Sequence, residues 1–199
     1  MVGLILAGGK GQRLGRSKAA IMLSGETLLA RTLRQLSPLC DRVLVSVAPG
    51  DSRSLPPFPP GLELVPDAYP GTGAIIGLAS GLRAAGQSAL ALAVDMPFLN
   101  PEIIRRLIAL APGWDAVVPR QGGLFEPLHA VYSPDCLPAL EKQIQAGQRR
   151  IALSFSRLRV RYLEDDELRG LDPSGLAFFN INTPEDLRRA EELEKNFRR

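Results

Sequence analysis

Cysteine and histidine are scarce in this chain of 199 residues, and the scarcity limits its chemistry. The two cysteines, Cys40 and Cys136, lie far apart and form neither a CxxC motif nor a Cys/His spacing. A disulfide framework or a zinc site therefore has little support, and we expect a protein of the reducing cytoplasm. The only histidine, His129, lies in the apolar stretch PLHAVY, where we expect a hydrogen-bonded structural residue rather than a catalytic base.

The opening residues show neither the pattern expected of a targeting leader nor that expected of a membrane-spanning run. Residues 1–7 contain no basic side chain, and their apolar run breaks at Gly8, long before it could cross a bilayer. We therefore expect neither a signal peptide nor a membrane anchor, and the first residues are predicted to enter a strand directly.

Charge of one sign is not concentrated in any dense block. Lysine and arginine number 24 against 21 acidic residues, a surplus of +3 that suits an anionic small molecule as well as a nucleic acid. Aromatic residues make up only 6% of the sequence, so a basic surface interleaved with stacking side chains is missing and we expect no nucleic-acid partner. Because 45% of the residues are hydrophobic, we expect one domain over residues 1–199.

Short apolar runs alternate with stretches of helical spacing. The runs lie at 2–6, 43–47, 62–65, 89–94 and 116–118, with shorter strand candidates of open direction at 126–133 and 159–164. Helical spacing fills 26–39, 73–86, 100–112 and 182–197, where Asn100 and Thr183 precede prolines as helix caps. Right-handed βαβ connections then predict an α/β fold, an open and mainly parallel sheet with helices on both faces, whose ligands bind at the carboxyl ends of the strands.

Four glycines follow the first strand, at the edge where a ligand is expected: Gly8, Gly9, Gly11 and Gly15. The dinucleotide fingerprint does not fit, because after Gly9 and Gly11 the next glycine comes too late, and GRSK lacks the Gly-Lys-Ser/Thr order of a Walker loop. Two interpretations stay open: a tight turn between strand and helix, or a loop whose backbone N–H groups face phosphates. In the second, Arg13 and Lys18 supply cations.

An aspartate ends the apolar run ALALAV. Asp95 lies at the same predicted edge as the glycine loop, where a carboxylate is placed to hold Mg²⁺. Magnesium takes few protein ligands and keeps waters and phosphate oxygens, so one carboxylate is sufficient. The alternative is an acid that serves the start of the next helix, but Asn100 is already placed to cap that helix. The sequence therefore favours a metal role.

With these residues in hand, the chain resembles the molybdenum cofactor guanylyltransferases, within the nucleotidyltransferase superfamily. The resemblance covers nearly the whole chain, through LAGGKGQRLGRSK (6–18), VPDAYPGTGAIIGLASGL (65–82), AVDMPFL (93–99), FEPLHAVY (125–132), AGQRRI (146–151) and FNINTPEDL (179–187). Many sugar and isoprenoid nucleotidyltransferases share the first segment, whereas the combination of the last three is much more specific. The resemblance implies a three-layer Rossmann-like fold of the nucleotide-diphospho-sugar transferase type, with a nucleotide-binding part at about 1–100 and a pterin-acceptor part at about 101–190.

The resemblance also implies roles for individual residues. The nucleotide would contact Leu6, Ala7, Gly8, Gly9, Ser46 and Asp67, with Arg13 and Lys18 on its phosphates and Asp95 as the metal ligand. The pterin side of the cleft would include Arg149, Arg150, Asn180 and Asn182. From the residues alone, a solvated helix edge for the two arginines and a turn cap for the two asparagines stay open.

The reaction that the resemblance implies is GMP transfer from GTP to molybdopterin or molybdenum cofactor, with Mg²⁺ as cofactor. The attacking phosphate oxygen is already an anion, so no general base is required, and Arg13, Lys18 and Asp95 become catalytic through charge neutralisation and placement. Cofactor-insertion proteins and acceptor molybdoenzymes are further implied partners. Two rival hypotheses are a related enzyme that uses CTP or a different phosphate acceptor, and a non-catalytic carrier of the cofactor; the presence of Asp95 and Lys18 favours catalysis.

Overall fold

The computed structural model describes residues 1–7, 10–11, 16–48, 55–56, 62–71 and 73–197. Its strands are β1 (Val2–Leu6), β2 (Lys10–Gly11), β3 (Arg16–Ser17), β4 (Met22–Leu23), β5 (Glu26–Thr27), β6 (Arg42–Val47), β7 (Glu63–Pro66), β8 (Ala89–Ala93), β9 (Ala116–Gln121), β10 (Leu124–Phe125), β11 (His129–Tyr132) and β12 (Val160–Leu163). Its α-helices are α1 (Leu28–Leu36), α2 (Ala74–Ala85), α3 (Pro101–Leu110), α4 (Leu137–Gln145), α5 (Asp165–Leu171) and α6 (Pro184–Phe197).

A mixed, mostly parallel sheet runs through the described part of the chain. The strand order is β10-β9-β11-β8-β1-β6-β7, and β12 also pairs with β9. β1 is parallel to β6 and β8, β7 is parallel to β6, and β12 is parallel to β9. β11 runs antiparallel to β8 and β9, and β10 antiparallel to β9. The predicted fold class is thus confirmed, and the two late strands prove to run in opposite senses relative to β9.

The order of the strands reverses between β1 and β8. From β1 the chain builds outward through β6 to β7, and then returns to place β8 on the other side of β1. Such a reversal opens a crevice at the carboxyl ends of the two central strands, where ligands of α/β sheets bind. The backbone N–H of Val94, just after β8, donates to the carbonyl of Leu6 at 3.3 Å, so the residues that follow both strands share one edge.

Helices cover both faces of the sheet. One apolar core lies under α1, α3, α5 and α6, and a second lies under α2 and α4. Along β1, Ile5 belongs to the first core and Leu4 to the second, because side chains alternate along a strand. Helix α2 lies very close to the sheet, since a Cβ added at Gly81 would lie 2.3 Å from Leu4 Cδ1.

Helices α4 and α5 are not predicted by the sequence patterns. In α5, Leu168 is the only buried residue, and three acidic residues occupy the first turn. A helix of seven residues with one buried position carries almost no hydrophobic periodicity, although its acidic start is favourable for the helix dipole. No helix within the described ranges combines the length and the apolar character that a bilayer crossing requires.

Candidate active site

Lys18, Asp95 and Asn182 meet at the crevice between β1 and β8. Lys18 Nζ donates to Asp95 Oδ2, and it also donates to Asn182 Oδ1 at 2.6 Å. Asp95 lies in the turn after β8, Lys18 opens a short 3-10 helix, and Asn182 lies just before α6. The structure therefore joins two predicted nucleotide-site residues to one that the resemblance places on the pterin side.

The ion pair at this point is largely shielded from solvent. The side chain of Lys18 is 22% exposed and that of Asp95 is 12% exposed. The carbonyl of Asp95 also accepts a hydrogen bond from the N–H of Ile181 at 2.9 Å, which ties the turn after β8 to the segment before α6. Because solvent screening is weak in such a place, the pair is more strongly oriented than an ion pair on the open surface.

Ser46 and Asp67 form a second group on the other side of β1. Ser46 Oγ donates to Asp67 Oδ1 at 3.3 Å, and the carbonyl of Ser46 accepts from the N–H of Ala7 at 3.1 Å. A Cβ at Gly77 of α2 would lie 2.7 Å from Ser46 Oγ, so only glycine lets the helix approach this hydroxyl. The predicted nucleotide residues Leu6, Ala7, Ser46 and Asp67 thus follow one edge of the sheet.

Arg149 lies against the loop that leads into α2. A Cβ at Gly71, whose φ is +106°, would lie 2.5 Å from an Nη of Arg149. Arg149 also lines a cavity of about 590 Å³ together with Tyr69 and Glu141. In that cavity Tyr69 Oη donates to Glu141 Oε1 at 2.6 Å, and burial together with this carboxylate raises the pKa of Tyr69 to about 12. The tyrosine therefore stays protonated and acts as a donor at neutral pH.

The remaining predicted residues are not brought to the lysine. The recorded partner of the Asn180 side chain is local: Nδ2 donates to the carbonyl of Phe178 at 2.9 Å. The carbonyl of Arg150 accepts from Gln143 Nε2 at 2.5 Å, where the chain enters the 3-10 helix Ile151–Arg157. Three further predicted residues and one glycine of the loop lie outside the described residues, and their roles stay predictions: Gly8, Gly9, Arg13 and Gly15.

The surroundings of Lys18 Nζ also test whether a divalent metal fits here. Asp95 Oδ2 and Asn182 Oδ1 converge on this single cationic nitrogen. One carboxylate oxygen and one amide oxygen are hard donors of the kind that Mg²⁺ accepts beside water and phosphate oxygens. The Asp95 carboxylate therefore fits a divalent cation that takes its other ligands from water and a nucleotide, while Asn182 Oδ1 is engaged by the lysine.

Residues 3–160 match the family model described as "MobA-like NTP transferase domain". The chain belongs to this family. As a MobA-like NTP transferase it is a nucleotidyltransferase, and it carries the mixed sheet and two helical layers of that enzyme class.

Named relatives of this MobA-like NTP transferase extend over nearly its full length. The molybdenum cofactor guanylyltransferase of Rhodobacter capsulatus is 38% identical over 199 residues, which cover 96% of this chain and 95% of that protein. The crystal structure of molybdopterin-guanine dinucleotide biosynthesis protein A from Archaeoglobus fulgidus is 34% identical with a TM-score of 0.85, covering 98% of this chain and 100% of the other. The Rv0371c complex with manganese from Mycobacterium tuberculosis is 20% identical with a TM-score of 0.64, covering 96% and 97%, and shares the fold.

His129 is not part of the site in this MobA-like NTP transferase. It is fully buried on β11, edge-on to the ring of Phe178 at 5.0 Å between centroids. Neither ring nitrogen has a hydrogen-bond partner among the described residues, so the expectation of a hydrogen-bonded histidine was wrong. Burial lowers its pKa to about 4, against a smaller opposing effect of Asp172, and the ring is therefore neutral at physiological pH.

The two cysteines are free thiols, Cys40 partly exposed and Cys136 buried. Burial raises the pKa of Cys40 to about 11 and that of Cys136 to about 12. Because the thiolate is the nucleophile and the metal ligand, these protonated side chains have a packing role.

Sequence reasoning missed the contact of Asp186 with the site residue Asn182 and, elsewhere in the fold, the environment of Glu126. Asp186 Oδ2 accepts from the N–H groups of Asn182 and Thr183, at 2.9 and 2.8 Å, and its own N–H donates to Thr183 Oγ1 at 3.1 Å. The Thr-x-x-Asp spacing of this capping box is a readable signal. Glu126 lies in the turn before β11, and burial raises its pKa to about 7. Nothing in the local sequence marks this glutamate as partly buried.

Proposed function

We propose that the protein transfers GMP from GTP to molybdopterin or the molybdenum cofactor, forming the guanine dinucleotide cofactor and releasing pyrophosphate. The observation that carries this proposal is the meeting of Lys18, Asp95 and Asn182 at the reversal point of the sheet. The guanylyltransferase names of full-length relatives support the choice of GTP and of the pterin acceptor. The nucleotide-binding part would span about 1–100 and the acceptor part about 101–190.

The chemistry needs charge neutralisation more than proton transfer. An acceptor phosphate oxygen forms a bond to the α-phosphorus of GTP while the bond from that phosphorus to pyrophosphate breaks. Since the attacking oxygen is already an anion, no base has to remove a proton, and the neutral, buried His129 is not needed for the step. Lys18 would stabilise the negative charge that builds on the phosphates. Asp95 would hold Mg²⁺, which would supply Lewis-acid stabilisation of the phosphate charge.

The other predicted residues complete the two sides of the cleft in this proposal. The edge formed by Leu6, Ala7, Ser46 and Asp67 would contact the nucleoside, since it lies beside β1 at the carboxyl ends of the strands. Gly8 and Gly9 would bring backbone N–H groups to the triphosphate and Arg13 a guanidinium. Arg149, Arg150 and Asn180 would face the pterin, and the contact of Arg149 with Gly71 supports a position near the start of α2.

The enzyme would act in the cytoplasm, where free thiols such as Cys40 stay reduced. Its product would pass to cofactor-insertion proteins or directly to acceptor molybdoenzymes.

Calorimetric titration with GTP, CTP and ATP, each with and without Mg²⁺, tests the proposal. We expect selective GTP binding that depends on Mg²⁺. Asp95→Asn should remove that dependence and slow pyrophosphate release in the presence of purified molybdopterin by on the order of 10²-fold, because a charge that stabilises the transition state is lost.

Asp135→Asn is the matched control for this titration. Asp135 is exposed and lies beside a cavity with Met1 and Ser88, near the amino ends of the central strands. This variant should bind and turn over like the wild type. A preference for CTP would replace the proposal by the related cytidylyl transfer, and the absence of any nucleotide binding would contradict it.

A further inference from the structure

A continuous set of contacts leads from the metal aspartate to the last helix. Asp95 pairs with Lys18, Lys18 donates to the side chain of Asn182, and the backbone of Asn182 donates to Asp186 in the first turn of α6. The members come from the two ends and the middle of the chain, so no local sequence preference holds them together. Each contact is a separate constraint on the position of the lysine.

We propose that Asp186 is a positioning residue for Lys18. By capping α6, Asp186 fixes the backbone of Asn182, whose amide oxygen in turn holds the lysine ammonium beside Asp95. The inference rests on the proposed function, which gives Lys18 to the nucleotide phosphates. It also assigns Asn182 to the support of the nucleotide side, in place of a role confined to the pterin.

The physical need for such a support comes from the lysine side chain. A lysine has a flexible four-carbon stem and a charge with three donors, so one acceptor leaves many conformations open. Asp95 Oδ2 supplies one fixed acceptor and Asn182 Oδ1 a second. Two acceptors on different elements define the position of Nζ far better than either alone.

Asn182 needs Asp186 because it lies outside the helix. Residues before a helix have backbone N–H groups without partners in the helix, and the two N–H groups of Asn182 and Thr183 both donate to the same Asp186 oxygen. The N–H of Asn182 contributes most to holding the pKa of Asp186 below its ordinary value, so the carboxylate is charged at neutral pH.

The helix that carries Asp186 is itself anchored. Arg31 Nη2 of α1 donates to Glu194 Oε1 of α6 at 2.7 Å, and the side chains are only 6% and 13% exposed. Ala190 of α6 is fully buried in the core shared with α1 and α3. Through its hydrogen bond with Asn182, Asp186 therefore links the acceptor of Lys18 to a helix that is held in place by packing.

Competitive labelling of lysines, read by mass spectrometry, tests the proposal without any substrate. An amine in a shielded ion pair reacts slowly, and the exposed Lys142 and Lys195 serve as references in the same molecule. In the wild type, Lys18 should react several-fold more slowly than either reference. Asp186→Ala should raise the rate at Lys18 at least threefold, whereas Asp186→Asn keeps an oxygen acceptor and should stay within twofold of the wild type.

Asn100→Ala is the matched control. Asn100 caps α3 by accepting from the N–H groups of Glu102 and Ile103, at 2.8 and 3.3 Å, without a contact to the lysine. This variant should leave the rate at Lys18 unchanged. An equal rise in both capping variants would mean general loosening and would overturn the proposal, as would an unchanged rate in Asp186→Ala.

Lysine labelling tests the positioning role of Asp186, and nucleotide binding tests the proposed function, so the two can fail independently. If Asp186→Ala fails to fold by circular dichroism, Asn182→Ala removes the acceptor directly, and an unchanged rate at Lys18 in that variant overturns the proposal. In the folded variant, binding of Mg²⁺ and GTP should weaken several-fold. A wild type that binds no nucleotide would contradict the proposed function, while the labelling result would still decide whether Asp186 positions Lys18.

Discussion

The buried histidine makes a quantitative prediction about acid stability. His129 is fully buried and its pKa falls from an ordinary value of 6.5 to about 4, because burial disfavours the charged imidazolium. A shift of one pKa unit corresponds to about 1.4 kcal/mol, so the shift at His129 changes the free energy of unfolding by about 3 kcal/mol between neutral pH and pH values below 4. The unfolded chain takes up the proton near pH 6.5 and the folded chain only near pH 4. Stability is therefore lost as the pH falls through this interval.

The comparison that isolates this effect is between the wild type and His129→Leu. Carboxylates also lose stabilising contacts in acid, but they do so in both proteins and cancel in the difference. We expect the free energy of unfolding of the variant, relative to the wild type, to rise by about 2 kcal/mol between pH 7.5 and pH 5, and to approach about 3 kcal/mol near pH 4. Urea unfolding monitored by circular dichroism at several pH values measures that difference.

A direct measurement of the pKa accompanies the unfolding curves. Because His129 is the only histidine, its imidazole signals in an NMR titration need no assignment. A difference in unfolding free energy that does not change with pH, or an imidazole that titrates near 6.5, would refute the reasoning. Either result would mean that the ring reaches solvent or finds a partner in the folded protein.

Other predictions concern stability. Burial raises the pKa of Glu126 to about 7, so between pH 4.5 and pH 7 the folded protein holds a proton that the unfolded chain has released. The free energy of unfolding therefore falls as the pH rises through this interval. Glu126→Gln should flatten this part of the curve of unfolding free energy against pH, and an unchanged curve would contradict the prediction. Gly81→Ala should cost about 1–3 kcal/mol in urea unfolding, since the added Cβ would lie 2.3 Å from Leu4 Cδ1. Its control, Gly170→Ala in α5, meets no atom within 4 Å and should stabilise by up to about 1 kcal/mol; equal effects would refute the packing explanation.

Much of the fold is predictable because its signals are local. Continuous apolar runs become the buried strands β1, β6 and β8, and Asn100 and Thr183 cap α3 and α6 as their spacing with the following proline indicates. The two helices that the sequence did not predict, α4 and α5, are short and bury few residues. Tertiary contacts rather than hydrophobic periodicity therefore determine that they form.

The candidate site is predictable in part for the same reason. The positions of Lys18 and Asp95 could be predicted from the sequence because Lys18 comes after β1 and Asp95 directly after β8. The carboxyl ends of these parallel strands lie at the same edge of the sheet. The contact between Lys18 and Asn182 could not, since 164 positions separate the two residues and many pairings are compatible with the same pattern. The environment of His129 could not be predicted either, because the packing of Phe178 against its ring is decided by a segment far along the chain.

The sequence by itself determined the fold class, the order of the main elements and the resemblance to an enzyme family, and it predicted the edge of the sheet at which a ligand is expected. These properties can be read from hydrophobic periodicity, turn residues and motif spacing, because each of these signals lies within a short stretch of sequence. Only the tertiary structure decided which polar groups meet: Lys18 with Asn182, Ser46 with Asp67, and Arg149 with the loop at Gly71. Such meetings depend on the register of distant segments and on the burial that packing creates. The same burial sets the charge states of His129 and Glu126, because desolvation is a property of the assembled core and not of any stretch of sequence.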